Sequence, residues 1–529
     1  MLHGEAGDPA GAAPRQDGGI APFPHATGGS IRDWLVEVDS QSLVTQVSQM
    51  AKTPSRGEAH AGRAGFPDRR QILRLFRALP LVGGAELLRP RLAPAATRLD
   101  RVVVLGAGMA GLGAARQLKD RLGFKAPGQV VVLEARNRIG GRLHTDSSLG
   151  FPVDLGAAWI HGLRRNPITT LAATHGVPTF ATDYESIRLY DRDGSLIDRA
   201  RYDRLYDAVF EPALAKAQRW GEGRDNDPTL AASLGATGAG AGLSALDARV
   251  FDWHLWWNVE ADSTFPTSAL STWFWGEDYE FQGPDVRFPL GYQPLAEAIA
   301  SGLDVRLDHV VESIDWRQPT VVVHTNFGPI SCERLVITLP LGVLKAGSVA
   351  FTPALPAAAT DAISELGFGR VHKIALRFPS TFWDPAAEFI GSIGAGRADN
   401  LEILNIVPSH GVSGLLCWAV GEQAAALENQ DDATAVAQMM ARLRTIFGAD
   451  IPAPTGVLRS TWNNSPFTRG SYSYWVVGSN PEAQRALVRD PGGRLFFAGE
   501  HTSSRYPQTV HGAWLSGIAA AQRVRARAR

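Results

Sequence analysis

Residues 102–134, VVVLGAGMAGLGAARQLKDRLGFKAPGQVVVLE, set the fold class of the chain. The two VVVL runs have the length and the β-branched composition of buried parallel strands. Between them, the glycine-rich GAGMAG opens a segment with the apolar spacing of a helix. A strand, a helix and a second strand within residues 101–134 have the size of one βαβ dinucleotide-binding unit and predict an α/β chain.

The three glycines of GAGMAG have separate uses in such a unit. Gly106 permits the tight turn, Gly108 lets backbone N–H groups approach a pyrophosphate, and Gly111 lets helix and strand pack closely. The helix N-terminus favours the negative charge of the phosphates. Glu134, at the end of the second strand, can accept hydrogen bonds from a ribose diol. This spacing predicts a dinucleotide cofactor without separating NAD from FAD.

The segments that follow favour FAD. EARNRIGGR (134–142) adds a second glycine pair and Arg142, whose guanidinium can bind a phosphate bidentately. Near the C-terminus, LFFAGEH (495–501) is another strand that ends in a glycine and an acid, and YPQTVHGAW (506–514) leads from it into a helix. Because cofactor motifs stand both early in the chain and at its C-terminus, we expect a discontinuous cofactor domain.

Composition excludes several classes of function. The 529 residues suggest roughly three to four domain-sized masses. The 52 Lys and Arg residues balance 53 Asp and Glu, for a net charge of −1, so nothing favours nucleic acid or an anionic membrane as a partner. The two cysteines, Cys332 and Cys417, make neither a disulfide framework nor a zinc set, and we expect no metal centre. Since no uncharged apolar run reaches about 18 residues, we expect no membrane span.

Residues 1–100 are predicted to form an extension before the cofactor domain. Residues 1–30 are rich in Gly, Ala and Pro, which is typical of disorder. Within residues 68–96, a paired arginine precedes a mildly apolar stretch and a small-residue site, which is typical of a twin-arginine export signal. The alternative is a surface helix in a protein that stays in the cytoplasm.

Two features of the middle of the chain predict its local organisation. The Gly- and Ala-rich stretch 231–246 indicates a loop between helices. A group of tryptophans indicates either a dense core or an aromatic-lined cavity. Its members are Trp253, Trp256, Trp257, Trp273 and Trp275.

The motifs together resemble the flavin-containing amine oxidases, and among them the polyamine oxidases, over about residues 100–525. The catalytic core of the lysine-specific histone demethylases is a close cousin. Besides the segments quoted above, the resemblance rests on DLGAAWIHG (154–162), LPLGVLK (339–345), GFGRVHK (367–373), GSYSY (470–474) and FAGEHTS with YPQTVHGAWLSG (497–503 and 506–517).

The resemblance implies a set of residues that hold FAD without a covalent bond, since no cysteine occupies the segment that carries the flavin in monoamine oxidases. The set is Gly106, Gly108, Gly111, Glu134, Arg142, Ala158, Trp159, Val311, Glu500 and Val510. The first five match residues around the ADP half, and Val311 matches the residue whose backbone meets the adenine. Ala158 and Trp159 match the backbone beside the flavin ring. Glu500 matches the acid on the ribityl chain, and Val510 matches the N–H at the pyrimidine edge.

The resemblance also implies a substrate site. Lys373 matches the lysine that holds a water against flavin N5 and is the predicted catalytic residue. Tyr472 and Thr509 match the two walls beside the substrate, and His161 could hydrogen-bond an amine. In the acidic run GEDYEF, Glu277 could anchor a distal ammonium group. A solvated acidic loop is the alternative for that run.

The implied fold is a doubly wound, Rossmann-type FAD-binding domain with a second, α+β substrate-binding domain. Residues 101–165, 286–345 and 461–529 are assigned to the FAD-binding domain. Residues 166–285 and 346–460 are assigned to the substrate-binding domain.

The implied activity is FAD-dependent amine oxidation, with a polyamine as the expected substrate. A hydride passes from the amine α-carbon to flavin N5, water hydrolyses the imine to an aldehyde and an amine, and O2 reoxidises the flavin to give H2O2. One alternative is an oxidase of another amine: a monoamine, a diamine, or an L-amino acid whose carboxylate Arg164 or Arg165 could bind. The other is a non-catalytic flavin protein that binds cations.

Overall fold

The computed structural model describes residues 101–276 and 279–527. The predicted extension 1–100, with its export signal, lies outside the described residues, and so does the predicted substrate-binding residue Glu277. Within the described part of the chain, no helix is both long and apolar enough to cross a membrane.

The two VVVL runs form the middle of a five-stranded parallel sheet, called here the central sheet. They are the strands Val102–Leu105 and Val130–Leu133, which lie side by side with Val102 opposite Val130. Both strands are buried throughout, which explains why they are continuous apolar runs. An α/β chain with a parallel sheet is thereby confirmed. In sheet order the strands are Leu495–Phe497, Arg334–Ile337, Val102–Leu105, Val130–Leu133 and Asp304–Arg306.

One face of the central sheet is covered by two packed helices, Met109–Arg116 and Val510–Arg527. Strand residues Val104 and Val132 point to this face and share a buried cluster with Ala520 of the C-terminal helix. The predicted helix after GAGMAG and the predicted C-terminal helix are therefore the two elements that cover this face.

The other face is covered by a four-stranded sheet. Val103 and Val131, one residue along from the helix-facing pair, share a buried cluster with Ile314 and Val323 of this second layer. A doubly wound fold would have helices on both faces, so the layer departs from that expectation. Its strands alternate between buried and more exposed residues, as in antiparallel sheets with one covered face. They are, in sheet order, Gly328–Cys332, Val321–Thr325, Val311–Asp315 and Ala350–Thr352.

A separate six-stranded sheet, called here the large mixed sheet, is packed between helices. One of its faces shares a buried cluster with Tyr202, Val250 and Trp253 of the helical segment 199–263. Its other face packs on the helix Asp432–Phe447 through residues such as Met440. In sheet order the strands are Gly456–Arg459, Val371–Arg377, Gly414–Val420, Leu401–Asn405, Phe389–Ser392 and Ile187–Tyr190, antiparallel except for the last pair.

The remaining elements are short. The other α-helices are Pro167–Thr174, Arg199–Leu205, Glu211–Glu222, Leu230–Ala236, Ala245–Leu255, Ala261–Ser263, Gln293–Ala300, Leu341–Lys345, Ala357–Glu365, Val407–His410, Gly421–Glu428 and Pro481–Leu487. Single π-helical turns are Gln117–Arg121, Tyr206–Phe210 and Trp256–Glu260, and 3₁₀ turns are Arg397–Asp399, Pro491–Gly493 and Glu500–Thr502. The short strands are Thr145–Asp146, Val153–Asp154, Trp159–Ile160, Phe180–Ala181, Val286–Arg287, Gly367–Phe368 and Ser473–Tyr474.

The prediction of a linker or loop over 231–246 is wrong at both ends, because residues 231–236 belong to one helix and residues 245–246 to the next. Residues Leu230–Ala236 form a helix whose N-cap, Thr229, accepts the backbone N–H of Ala232 at 3.1 Å. Leu230 and Leu234 are buried, so the cap and the packing outweigh the low helix preference of a glycine-containing stretch.

We predict that Gly517→Ala destabilises the protein. A Cβ at Gly517 would lie 1.9 Å from the carbonyl oxygen of Ala110 in the packed helix, and backbone cannot move aside cheaply. We expect the free energy of unfolding to fall by about 1–3 kcal/mol, measured by chemical denaturation of the FAD-loaded protein. The matched control is Gly235→Ala, also helical but with no atom within 4 Å of the new Cβ, which should gain about 0.4–1 kcal/mol. Equal stability of the two variants would contradict this account of the packing.

Candidate active site

A cavity of about 1230 Å³ begins at the carboxyl ends of the central strands and reaches the large mixed sheet. Leu105 and Leu133 end two central strands and line one end, whereas Lys373, Trp418 and Glu402 of the large mixed sheet line the other. Ligands of open parallel sheets bind outside the carboxyl ends of the strands. Since a pocket for one ligand has roughly 300–1,000 Å³, this cavity has room for an extended dinucleotide and a second, smaller molecule.

The glycine-rich turn forms the end of the cavity that we call the cradle end. Gly106 has φ +99°, and a Cβ there would lie 2.7 Å from the hydroxyl oxygen of Thr338. At Gly111 a Cβ would lie 1.8 Å from the Gly106 carbonyl oxygen, so only glycine allows this approach of helix and turn. Gly108 is the N-cap of Met109–Arg116. This combination of bare backbone and a helix N-terminus fits the diphosphate of a dinucleotide.

Glu134 is buried at the cradle end with both carboxylate oxygens held by backbone. Oε2 accepts the N–H of Ala107 at 2.8 Å, and Oε1 accepts the N–H of Arg136 at 3.0 Å. A carboxylate oxygen can accept more than one hydrogen bond, so the fixed group can still accept a diol. Val311, the first residue of its strand, lines the same end of the cavity.

The two predicted cofactor residues Arg142 and Glu500 contact each other. Arg142 Nη1 lies 2.8 Å from Glu500 Oε1 and also donates to the carbonyl of Ser471. Glu500 further accepts the hydroxyl of Ser473 at 2.5 Å and the N–H of Gln508 at 3.0 Å. Burial would raise the pKa of the Glu500 carboxyl, but Arg142 and these donors outweigh it and hold the pKa below its usual value.

Lys373 is almost fully buried in the strand Val371–Arg377. Its Nζ donates to the carbonyl oxygens of Asp154 at 2.9 Å and Gly156 at 2.6 Å and lies 4.3 Å from the centre of the Trp418 ring. An ammonium has three N–H groups, so two are used on backbone and one is left for the cavity. Burial, with a contribution from Arg287, lowers the pKa of Lys373 to about 8.

The lysine also fixes the backbone that leads to Ala158 and Trp159. Both residues are nearly buried and line the cavity just after the two carbonyls that Lys373 binds. The structure thus brings together Lys373, from the large mixed sheet, with Ala158 and Trp159, from the segment after Asp154.

Thr509 and Val510 begin the C-terminal helix at the cavity. The Thr509 hydroxyl accepts the N–H of Gly512 at 3.0 Å and donates to the carbonyl of Tyr506 at 3.0 Å. The predicted substrate wall therefore uses its hydroxyl as a helix cap. The N–H groups of the first turn have no intrahelical acceptor, and Val510 stands in that turn at the cavity. Tyr472, the other predicted wall, also lines the cavity.

His161 is paired with an acid that sequence reasoning missed. Its Nδ1 lies 2.7 Å from Asp285 Oδ2, and the hydroxyl of Tyr184 donates to the same oxygen at 3.1 Å. The side chain of His161 is 56% exposed; partial desolvation disfavours its charged form, but the hydrogen bond to Asp285 and the nearby carboxylates outweigh this and raise the pKa of His161. Asp285 stands 124 residues after His161, and no local pattern joins the two.

The cavity beyond Lys373 is lined by acids, and we call it the acidic end. Among residues 101–276 and 279–527, the carboxylates that line it are Glu185, Asp203, Asp207, Asp262, Glu280, Asp285 and Glu402. In the same described ranges, Arg199 is the arginine at this end, and it is paired with Glu185 and with Asp203. Arg164 and Arg165 are exposed and lie outside the lining, so neither is positioned to bind a carboxylate there.

The tryptophan group is divided between core and cavity. Trp253 and Trp256 are fully buried in the core, whereas Trp257 and Trp275 line the acidic end. Trp257 belongs to the π-helical turn Trp256–Glu260, one of the irregular turns that recur at functional sites.

Neither cysteine lines the cavity. Cys332 and Cys417 are buried elsewhere, and burial raises the pKa of each thiol to about 12. Thiols that stay protonated and out of reach cannot attach a flavin, in agreement with non-covalent binding.

Comparison with known proteins identifies the relatives of this chain. The family model for flavin containing amine oxidoreductases matches residues 109–525. Polyamine oxidase 2 of Arabidopsis thaliana is 34% identical over 445 residues, which cover 82% of this chain and 89% of that protein. Polyamine oxidase 3 of Oryza sativa subsp. japonica is 34% identical over 445 residues, with 80% and 89% covered. Lysine-specific histone demethylase 1 homolog 2 of the same rice is also 34% identical over 445 residues, with 80% of this chain and 56% of that protein covered.

We predict that Glu500→Gln lowers stability in a pH-dependent way. The NH2 group of the new glutamine would point at hydrogen-bond donors that Glu500 accepts. The substitution also removes one partner of the buried ion pair with Arg142, which lowers the free energy of unfolding by about 3–5 kcal/mol. Because the folded pKa lies below the unfolded one, the stabilisation by Glu500 is complete above the unfolded pKa and is lost as the pH falls through the folded pKa. The gap between wild type and variant should be widest near neutral pH and narrow in acid.

Denaturation curves of the FAD-loaded proteins at several pH values measure this gap. The matched control is Glu422→Gln, which changes an exposed ion pair with Arg370 and should leave the curves unchanged. A gap that is constant between neutral and acid pH would contradict the assignment of a depressed pKa to Glu500.

Proposed function

The chain belongs to the flavin-containing amine oxidoreductases, so its cofactor is FAD and its substrate an amine, and we propose that it is a polyamine oxidase that uses O2. The main structural support for a polyamine substrate is the acidic end of the cavity. Several carboxylates there face one already paired arginine, and such a lining attracts an extended polycation. The names of the two polyamine oxidase relatives support the same substrate class.

The proposed cofactor site is the cradle end. Gly106, Gly108 and Gly111 would accept the diphosphate, and Glu134 the ribose. Arg142 and Glu500, already paired, would contribute charge beside the chain that joins diphosphate and flavin. The N-terminus of the helix Val510–Arg527 would stabilise negative charge on the flavin ring. FAD fits this site because the glycine turn exposes backbone for the diphosphate, and because the first-turn N–H groups of two helices have no intrahelical acceptor.

The proposed reaction uses few residues of the chain itself. FAD bound at the cradle end would supply the acceptor for a hydride from the amine α-carbon and the route of those two electrons to O2, which would leave as H2O2, and water would hydrolyse the imine to an aldehyde and an amine. Lys373 would use its remaining N–H to hold the attacking water. Tyr472 and Thr509 would flank the reacting carbon, and His161, oriented by Asp285, would hydrogen-bond the amine.

We propose the two-domain division with one change. The strands of the central sheet lie in the segments 101–165, 286–345 and 461–529, and the strands of the large mixed sheet lie in 166–285 and 346–460. One strand of the segment 346–460, Ala350–Thr352, pairs instead with Val311–Asp315 in the layer on the central sheet. This pairing favours a boundary after Thr352.

The first test of the proposed function is anaerobic mixing of the FAD-loaded protein with spermine. We expect the flavin absorbance to bleach, and we expect kcat/KM to rise with pH, because only a neutral amine has the lone pair that supports hydride loss. An L-amino acid and a simple monoamine at equal concentration serve as comparison substrates. A flavin that stays oxidised with spermine, or that bleaches faster with either comparison substrate, would contradict the proposal.

A second prediction concerns Lys373. Lys373→Met should keep FAD bound but slow turnover by about 100-fold or more, since groups that position or move protons contribute roughly that much. The matched control is Lys345→Met, a lysine outside the cavity lining that donates to the carbonyl of Ser364. Unchanged steady-state turnover of Lys373→Met in an oxygen-consumption assay would exclude a role for this lysine.

A further inference from the structure

Glu402, a residue that no sequence motif singles out, stands in one row with Lys373. In the large mixed sheet, Lys373 lies opposite Trp418, and Trp418 lies opposite Glu402 on the next strand. Directly opposed residues share one face of a sheet, and all three line the cavity. Since neighbouring strands are about 4.8 Å apart, the backbones of Lys373 and Glu402 are separated by about 10 Å, with Trp418 between them.

The carboxylate of Glu402 has no cation beside it in the described ranges. Its Oε2 accepts a hydrogen bond from the indole N–H of Trp257 at 3.1 Å. Within residues 101–276 and 279–527, no Lys, Arg or His nitrogen lies within 4.0 Å of it. Lys373 instead directs its Nζ to the carbonyls of Asp154 and Gly156.

A half-buried carboxylate without a cation is costly to keep ionised. Burial accordingly raises the pKa of Glu402 to about 7, because it outweighs the Trp257 hydrogen bond and the more distant charge of Lys373, which both favour the ionised form. An arriving ammonium would restore the ionised form and gain a charge-assisted hydrogen bond in a place of low dielectric. The side chain therefore has the properties of a receptor for a cation that residues 101–276 and 279–527 do not supply within ion-pair distance.

We propose that Glu402 is the specificity-determining residue that binds the ammonium group next to the reacting nitrogen of the substrate. This inference rests on the proposed polyamine oxidase function. If Lys373 marks the reacting end, the second nitrogen of a polyamine is three or four methylenes away. With bonds of about 1.5 Å this is about 5–6 Å, and a hydrogen bond of about 3 Å from that nitrogen to Glu402 brings the span to about 8–9 Å, close to the length of the row.

The test compares a polyamine with a monoamine of the same shape. Spermidine is the polyamine, and N-butylpentylamine, in which a methyl group replaces each terminal amino group, is the monoamine. In Glu402→Gln the amide still accepts the Trp257 N–H, but the charge is gone. We expect kcat/KM for spermidine to fall roughly 10- to 100-fold, the effect of losing a hydrogen bond to a charged group. The kcat/KM for the monoamine should change by less than about threefold. If the enzyme does not oxidise the monoamine, its inhibition constant is measured instead, with the same expectation.

Two further variants sharpen the test. Glu422→Gln removes an exposed carboxylate outside the cavity lining by the same substitution and should leave both constants unchanged. Glu402→Asp keeps the charge but withdraws it by one methylene, so its kcat/KM for spermidine should lie between those of wild type and Glu402→Gln. If Glu402→Gln does not fold, Glu402→Asp takes its place in the comparison of spermidine with the monoamine.

The outcomes separate the two proposals. If wild-type enzyme oxidises spermidine and Glu402→Gln loses the same factor with spermidine and with the monoamine, or loses nothing, the assignment of Glu402 is overturned and the polyamine oxidase proposal stands. If wild-type enzyme bleaches with neither spermidine nor spermine, both proposals fall together.

Discussion

The buried carboxylate of Glu500 is the point on which the architecture depends. It joins Arg142, which follows the first βαβ unit, to Ser473 and to Gln508, just before the last helix. Because Arg142 and Glu500 are 358 positions apart, no local folding can bring them together. Because this one carboxylate accepts from Arg142, Ser473 and Gln508, its loss would leave several buried donors unpaired at once.

Lys373 is the corresponding link on the other side of the cavity. Its Nζ binds the carbonyls of Asp154 and Gly156, so a strand of the large mixed sheet orders the segment that leads to Trp159. A buried ammonium is retained only where acceptors repay part of its desolvation. In the proposed reaction the same arrangement serves structure and chemistry, because the two carbonyls occupy two of the three N–H groups of the lysine and leave one for the cavity.

Local spacing is enough to predict the glycine turn and the close helix packing of the cradle end, whereas the contacts that the sequence does not reveal depend on long-range pairing. Gly106 and Gly111 are recognisable because a turn of a few residues imposes their conformation. Glu402, by contrast, occurs in a strand between apolar neighbours, and only its register with Trp418 brings it into line with Lys373. The capping role of Thr509 was missed for a related reason, since resemblance assigns a position and not the partner of its hydroxyl.

The charges of the cavity suggest how one chain can attract a polycation and still hold one nitrogen neutral. Carboxylates alone would raise the pKa of every bound amine and keep the reacting nitrogen protonated. Near the proposed reacting end, however, stands the buried ammonium of Lys373, whereas the imidazole of His161 is paired with the carboxylate of Asp285 and adds no net positive charge. A positive group close to the reacting nitrogen lowers its pKa, while Glu402 and the more distant acids favour the charged form of the other nitrogens. In the proposed reaction, the order of charges along the cavity therefore selects which nitrogen loses its proton, and with it which carbon is oxidised.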